Sequence, residues 1–203
     1  MYIVQPSFLL RKIYPKAIWR IPVKEKKIYL TFDDGPIPIV TPWILDILNE
    51  SETKATFFCV GENVVKHAAI YQRILEEKHA VGNHTFNHLK GWNSHSKTYI
   101  RNVKKCAEVV DSKLFRPPYG RAKKSQIKHL SAQYSIIMWD VLSGDYDKKT
   151  SPEGCLKNVI SNVRNGSIIV FHDNVKAQKN LEYTLPKFID WAKENGFTFE
   201  ILK

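Results

Sequence analysis

The chain has 203 residues, 43% of them hydrophobic and 25% charged, a balance that suits one water-exposed domain with its own core. No apolar run approaches the roughly eighteen residues of a membrane-spanning helix, and Tyr2-Ile3-Val4 is interrupted by Gln5-Pro6-Ser7 before a signal-peptide core can form. Cys59, Cys106 and Cys155, an odd number without CxxC spacing, argue against a disulfide framework and suit a reducing compartment. Cytoplasmic or peripheral membrane placement is therefore expected, with an extracytoplasmic one left open.

The formal charge of +11 is concentrated at the start, where residues 1–27 hold seven Lys or Arg against Glu25 alone. This stretch reads as a basic leader ahead of a single domain over residues 28–203. Phe8, Leu9, Leu10, Ile13, Tyr14, Ile18 and Trp19 are interleaved with the cations. The mixture suits peripheral contact with an anionic membrane surface or a lipid-linked glycan. The prolines Pro6, Pro15 and Pro22 interrupt any long amphipathic helix and favour instead a segment packed on the domain with its lysines solvated. No nucleic-acid motif accompanies the charge, so nucleic acid is not an expected partner. Oligomeric state is not legible.

Beyond the leader, strand-like apolar runs are predicted at 28–32, 55–60, 80–82, 114–116, 135–139, 167–171 and 198–202. Helices are predicted near 42–49, 63–78, 97–111, 121–132, 153–164 and 181–195. Such alternation implies an α/β fold with a mainly parallel sheet, and about seven strands favour a distorted, incomplete (β/α) barrel.

The first strand runs into Thr31-Phe32-Asp33-Asp34-Gly35-Pro36. Adjacent carboxylates repel unless a cation lies between them or they share a proton. A metal held by one, with the other free as a base, resolves the conflict. Taken alone, these six residues read as a surface turn.

After the third strand, His84-Thr85-Phe86-Asn87-His88 spaces two imidazoles at i and i+4, one helical turn apart on one face. Two imidazoles with one carboxylate suit a divalent transition metal and leave a position open for water or substrate, the pattern of a catalytic site. Arg116-Pro117-Pro118-Tyr119-Gly120 follows the fourth strand, Asp145-Tyr146 the fifth, and Phe171-His172-Asp173 the sixth. In a parallel barrel these C-terminal strand ends share one face. His67, His79, His95 and His129 have no comparable spacing and are expected at the surface.

Together, Thr31–Pro36, His84–His88, Arg116–Gly120, Asp145-Tyr146 and His172 occur in an order that resembles the polysaccharide deacetylase family, with its NodB homology domain of carbohydrate esterase family 4 type. The resemblance runs from about Ile28 to the C-terminus. It implies the same incomplete barrel and a metal-dependent hydrolase that removes N-acetyl groups from amino-sugar units of a glycan, of chitin-oligomer or peptidoglycan type.

On that resemblance Asp34, His84 and His88 hold one divalent ion, zinc before cobalt or another. Asp33 is the general base, Arg116 holds it ionised, and His172 is the general acid paired with Asp145, with Asp140 as the alternative partner. The Tyr119 N–H is an oxyanion donor, and Trp139, Tyr146 and Leu142 line an acetyl-sized pocket. Tyr146 departs from the family, which usually has Trp after this Asp. An O-acetyl esterase, a small amide or imide hydrolase and a non-catalytic carbohydrate-binding relic remain alternatives.

Overall fold

A computed structural model describes residues 2–203; Met1, the first residue of the expected leader, lies outside the described residues. At its centre is β1 (Lys27–Asp33), buried at every position after the first. A strand covered on both faces reads as a continuous apolar run, which is why Ile28 to Phe32 stood out. β1 pairs in parallel with β2 (Thr56–Cys59) on one side and β7 (Ile168–His172) on the other. Beyond β2 follow β3 (Ala80–Asn83), β4 (Leu114–Phe115) and β5 (Ser135–Ile136), and beyond β7 lies β6 (Val141–Leu142). The result is a curved path of seven parallel strands, with β8 (Thr198–Phe199) paired to the start of β1.

Side chains alternate across β1 and so divide two environments. Ile28, Leu30 and Phe32 join Ile44, Leu45 and Leu48 of α2 (Val40–Glu50) and Leu185 and Phe188 of α8 (Gln178–Glu194) in the main core. Tyr29 faces the barrel interior with Phe58, Leu114 and Ile137. Thr31 points the same way, meeting the Arg116 guanidinium. Asp33, two residues further on the same face, is delivered to the top of that interior.

The remaining helices are α3 (Gly61–Lys66), α4 (Ala68–Glu76), α5 (Ser96–Ala107), α6 (Lys124–Leu130) and α7 (Pro152–Ile160), after the short α1 (Phe8–Ile13). α7 starts where its sequence specifies: Pro152 occupies the first turn, and the Ser151 hydroxyl accepts from Gly154 N at 3.1 Å. No helix among the described residues is long and apolar enough to cross a membrane. All three cysteines are free and buried.

The path of the sheet runs from β5 to β6, and stretches of the N-terminal segment around Val4 and Ile18–Ile21 pair with it there. Ile18 bridges in parallel to Ile137, and Arg20 pairs antiparallel with Ser167 at the foot of β7. Ile21 N donates to Gly166 O at 2.9 Å, and a Cβ on Gly166 would lie 1.8 Å from Ile21 O, so only glycine admits this approach. Further along, Leu142 N donates to Val4 O at 2.8 Å. Tyr14 and Trp19 are buried in a second core with Phe115, Leu130 and Met138.

Several elements differ from the expectation. The helix predicted over 63–78 is two helices meeting at His67. The strand predicted over 135–139 ends at Ile136, because Met138 N turns to Ile18 O at 2.8 Å. A short strand, β6, then intervenes, so Asp145 follows the sixth strand and His172 ends the seventh. His79 is buried rather than exposed: its Nδ1 accepts from Ala55 N at 3.2 Å, and its ring meets Phe57 edge-on.

Candidate active site

Asp33 and His172 are direct neighbours across the β1–β7 ladder, and Asp34 enters the loop above them. Asp34 adopts φ 91°, a left-handed conformation for a non-glycine residue. Three contacts hold its loop there. Asn63 Nδ2 donates to Asp34 O at 2.7 Å, Gly35 N donates to Asp173 Oδ1 at 2.8 Å, and Asp173 Oδ2 accepts from Thr41 Oγ1 at 2.7 Å. A Cβ on Gly35 would collide with the Asp173 carboxylate at 1.7 Å, so this turn needs glycine. Asp173 is thus a main fastening of the acidic loop.

The helical geometry expected for His84–His88 is not found. The two residues lie in a bend after β3, with Thr85 at φ 65° and His88 at φ 56°. Side chains replace the helical hydrogen bonds. Thr85 N donates to Asn83 Oδ1, Phe86 N to Asn102 Oδ1, and Leu89 N to Thr85 Oγ1. The bend still converges the imidazoles, whose centroids lie 5.1 Å apart.

Asp34 Oδ1 lies 3.7 Å from His84 Nε2 and 3.1 Å from His88 Nε2, and one ligand atom from each of the three residues falls within 4.8 Å of the others. The protonation pattern fits a cation. His84 Nδ1 faces the Arg116 carbonyl at 2.8 Å, so it carries the proton and leaves the Nε2 lone pair toward Asp34. Burial lowers the His84 pKa to about 4, with Asp33 and Asp34 opposing, so the ring is neutral near pH 7. Burial pushes the Asp34 carboxyl up, but the His88 hydrogen bond and the neighbouring His172 imidazole outweigh it and hold it well below the usual range. Asp34 Oδ2 is occupied by Asn174 Nδ2 at 2.6 Å, which leaves Oδ1 for a ligand.

Arg116 is the largest fully buried side chain. Its guanidinium crosses the interior from the end of β4 to Asp33 Oδ1 at 2.6 Å, Thr31 Oγ1 at 2.8 Å and the Met138 carbonyl at 3.0 Å. It also stacks 4.0 Å above the Phe58 ring. A buried guanidinium beside one carboxylate forms a charge-assisted bond that fixes the carboxylate's plane. Asp33 Oδ2 has no hydrogen-bond donor among the described residues.

On the other side, Asp145 grips His172 twice: Oδ1 lies 2.8 Å from Nδ1, and Oδ2 accepts the His172 N–H at 2.7 Å. Burial lowers the imidazole pKa, but Asp145, then Asp34 and Asp33, raise it to about 9. Asp140, the alternative partner, is committed elsewhere. Arg11, Arg164 and Ser167 all bond to its carboxylate.

Tyr119 sits at φ 61° with its ring 4.7 Å from His88, and its N–H finds no acceptor among the described residues. Tyr146 packs edge-to-face with His172, their ring centroids 4.7 Å apart, and Tyr2 backs it at a centroid distance of 6.1 Å. Trp139 lies one layer further out, between Trp19 and the site where a Gly120 Cβ would project. Leu142 is buried within β6 and is not drawn into the cluster by any polar contact.

Sequence reading missed Asn174, Asn63 and Asn102. Asn174 directly follows His172-Asp173 and had a positional signal; the other two are single polar residues in helices, with none.

Known proteins share this arrangement of chain. A peptidoglycan-N-acetylglucosamine deacetylase of Bacillus cereus is 33% identical over 188 residues, 89% of this chain and 88% of that protein. A chitooligosaccharide deacetylase of Azorhizobium caulinodans is 35% identical over 163 residues, 76% of this chain and 77% of that one. The crystal structure of the Bc1960 peptidoglycan N-acetylglucosamine deacetylase in complex with 4-naphthalen-1-yl-N-oxidanyl-benzamide superposes with a TM-score of 0.88 at 32% identity, covering 97% of this chain and 95% of that chain. The family model described as polysaccharide deacetylase matches residues 20–135, and this chain belongs to the polysaccharide deacetylase family.

Proposed function

We propose that this chain removes N-acetyl groups from amino-sugar units of a peptidoglycan or chitin-oligosaccharide type of glycan, releasing acetate. One observation carries the reading: an Arg116-held carboxylate and an Asp145-held imidazole stand on neighbouring strand ends beside the Asp34, His84 and His88 donor set. Named relatives with glycan deacetylase activity over most of their length support it.

Asp34 Oδ1, His84 Nε2 and His88 Nε2 would hold the divalent ion, for which zinc suits two imidazoles and a carboxylate. When bound, it supplies Lewis-acid charge for an acyl oxygen and for the acidity of a water. The residues of the chain perform the proton transfers. Asp33, held through Oδ1 by Arg116, accepts the proton of the attacking water at Oδ2. The Tyr119 N–H faces the negative charge that develops on the acyl oxygen, a preorganised donor worth ~3 kcal/mol. His172, protonated near neutrality through Asp145, delivers a proton to the sugar nitrogen so that the amine leaves neutral. Tyr146 walls the site beside His172 and sets the space for the acetyl methyl, with Trp139 and Leu142 behind it.

The test is acetate release, with zinc or cobalt supplied, from chitin oligomers, peptidoglycan fragments and acetylated xylan. Release from the amino-sugar substrates supports the reading. Release from xylan alone assigns an O-acetyl esterase. Turnover of small imides alone assigns the amidase alternative, and glycan binding without turnover leaves a relic.

A further inference from the structure

The N-terminal segment that pairs with the sheet also presents a surface that none of the catalytic chemistry uses. On α1, Phe8 and Leu9 are 70% and 73% exposed, covered by no element among the described residues. Beside them, a groove of about 340 Å³ runs between the segment after α1 and helix α6. Its walls include Ile13 and Ile127, and its rim carries Lys12, Lys16, Lys124 and Lys128. None of the four lysines forms an ion pair among the described residues. Neither contributing stretch, residues 7–16 or 121–134, contains an Asp or Glu.

Unneutralised cations around protruding apolar side chains match one kind of surface. Anionic headgroups pair with the ammonium groups, while Phe8 and Leu9 enter the acyl boundary. A soluble polyanion would meet the lysines but leave those two side chains in water. We infer that this face docks the protein on an anionic lipid bilayer. Tyr14, which lines the groove, donates through Oη to Ala122 O at 2.7 Å and so ties this face to the chain that carries Tyr119. The inference stands on exposure and charge and is independent of the deacetylase reading.

The test is co-sedimentation of the full chain with vesicles of equal parts phosphatidylglycerol and phosphatidylcholine, against vesicles of phosphatidylcholine alone. Binding is expected only to the anionic vesicles, and salt should release it. At about fivefold per lysine, changing Lys12, Lys16, Lys124 and Lys128 together to Gln should weaken binding several hundred-fold. The pair Phe8→Ser and Leu9→Ser should weaken it about tenfold or more. Both sets lie outside the cleft, so turnover of soluble chitin oligomers should not change, which separates this outcome from any failure of the enzymatic reading. No binding to anionic vesicles, or equal binding to neutral ones, overturns the inference. So does insensitivity to the Phe8 and Leu9 changes with loss in the lysine variant, which would leave charge alone holding the protein and no side chain entering the acyl boundary.

Discussion

The Arg116 carbonyl accepts from His84 Nδ1 at 2.8 Å while the guanidinium of the same residue reaches Asp33 at 2.6 Å. Its backbone orients a candidate metal ligand and its side chain orients the candidate base. Mutation separates these roles, because only the side chain is lost. Arg116→Ala should keep zinc affinity within a few-fold yet lower kcat by about 100-fold or more. Stability should fall by ~3–5 kcal/mol as Asp33 loses its buried partner. Arg116→Lys should recover little, since one ammonium cannot reach Asp33, Thr31 and the Met138 carbonyl together. Calorimetric zinc titration, kinetics and thermal unfolding distinguish the effects; zinc affinity collapsing in step with kcat would refute the separation.

Asp33→Asn preserves the shape that meets Arg116 but cannot take a proton, and His172→Ala removes the proton donor. Each should lower kcat by about 10²–10⁴-fold with zinc still bound. Acetate release measured beside metal content checks both, and full activity in either variant sinks that residue's role.

What was readable beforehand follows from where the information lies. β1 was visible because burial on both faces forces an apolar run, and Asp33, Asp34, His84, His88, Arg116 and His172 were visible because each terminates or closely follows a strand. β6 was not, since two residues held by Val4 O and β7 carry no periodicity. The His84–His88 bend was misread as helical because i, i+4 spacing specifies a helix only where the backbone hydrogen bonds are free to form. Here Asn83 and Asn102 capture those N–H groups instead. The role of Ile18 and Trp19 in packing against the sheet is purely tertiary, and composition showed only that they are apolar.

The pairing with Asp145 carries a pH signature. The His172 pKa is raised from its ordinary 6.5 to about 9, mainly by Asp145 acting against burial. Protonation therefore stabilises the fold fully below pH 6.5, and that contribution is lost as pH rises through about 9. If His172 is the acid, kcat should decline across the same upper range. In Asp145→Asn the decline should begin at lower pH. An imidazole titration followed by NMR, together with a pH–rate profile, checks this; an unchanged upper limb in the variant would remove Asp145 from the role.

Asn174 donates to Asp34 Oδ2 at 2.6 Å and so determines which carboxylate oxygen faces the imidazoles. Asn174→Ala should weaken zinc binding by about 10-fold or more, the usual cost of losing a partner behind a ligand. Asn174→Asp should be worse, because it sets a second negative charge against a carboxylate with no proton to donate. Competition with a zinc-binding dye measures both. Equal affinity in all three proteins would mean that Asn63 and Asp173 hold the loop without help.

Trp19 is 6% exposed and packs edge-on against Trp139 at 5.8 Å, with Ile18 beside it bridging to Ile137. If this segment is part of the core, Trp19→Ala should cost ~3–5 kcal/mol, the range for a buried aromatic side chain. Trp19→Phe should cost much less, because the indole N–H has no partner to lose. A segment merely laid on the surface would change stability by no more than about 0.5 kcal/mol. Denaturant unfolding discriminates the two, and unchanged slopes would show that the loss lies in the native packing rather than in the unfolded chain. Since Trp139 lies against Gly120, next to Tyr119, the Ala variant should also raise KM for glycan substrates, linking the packing of this segment to the wall of the cleft.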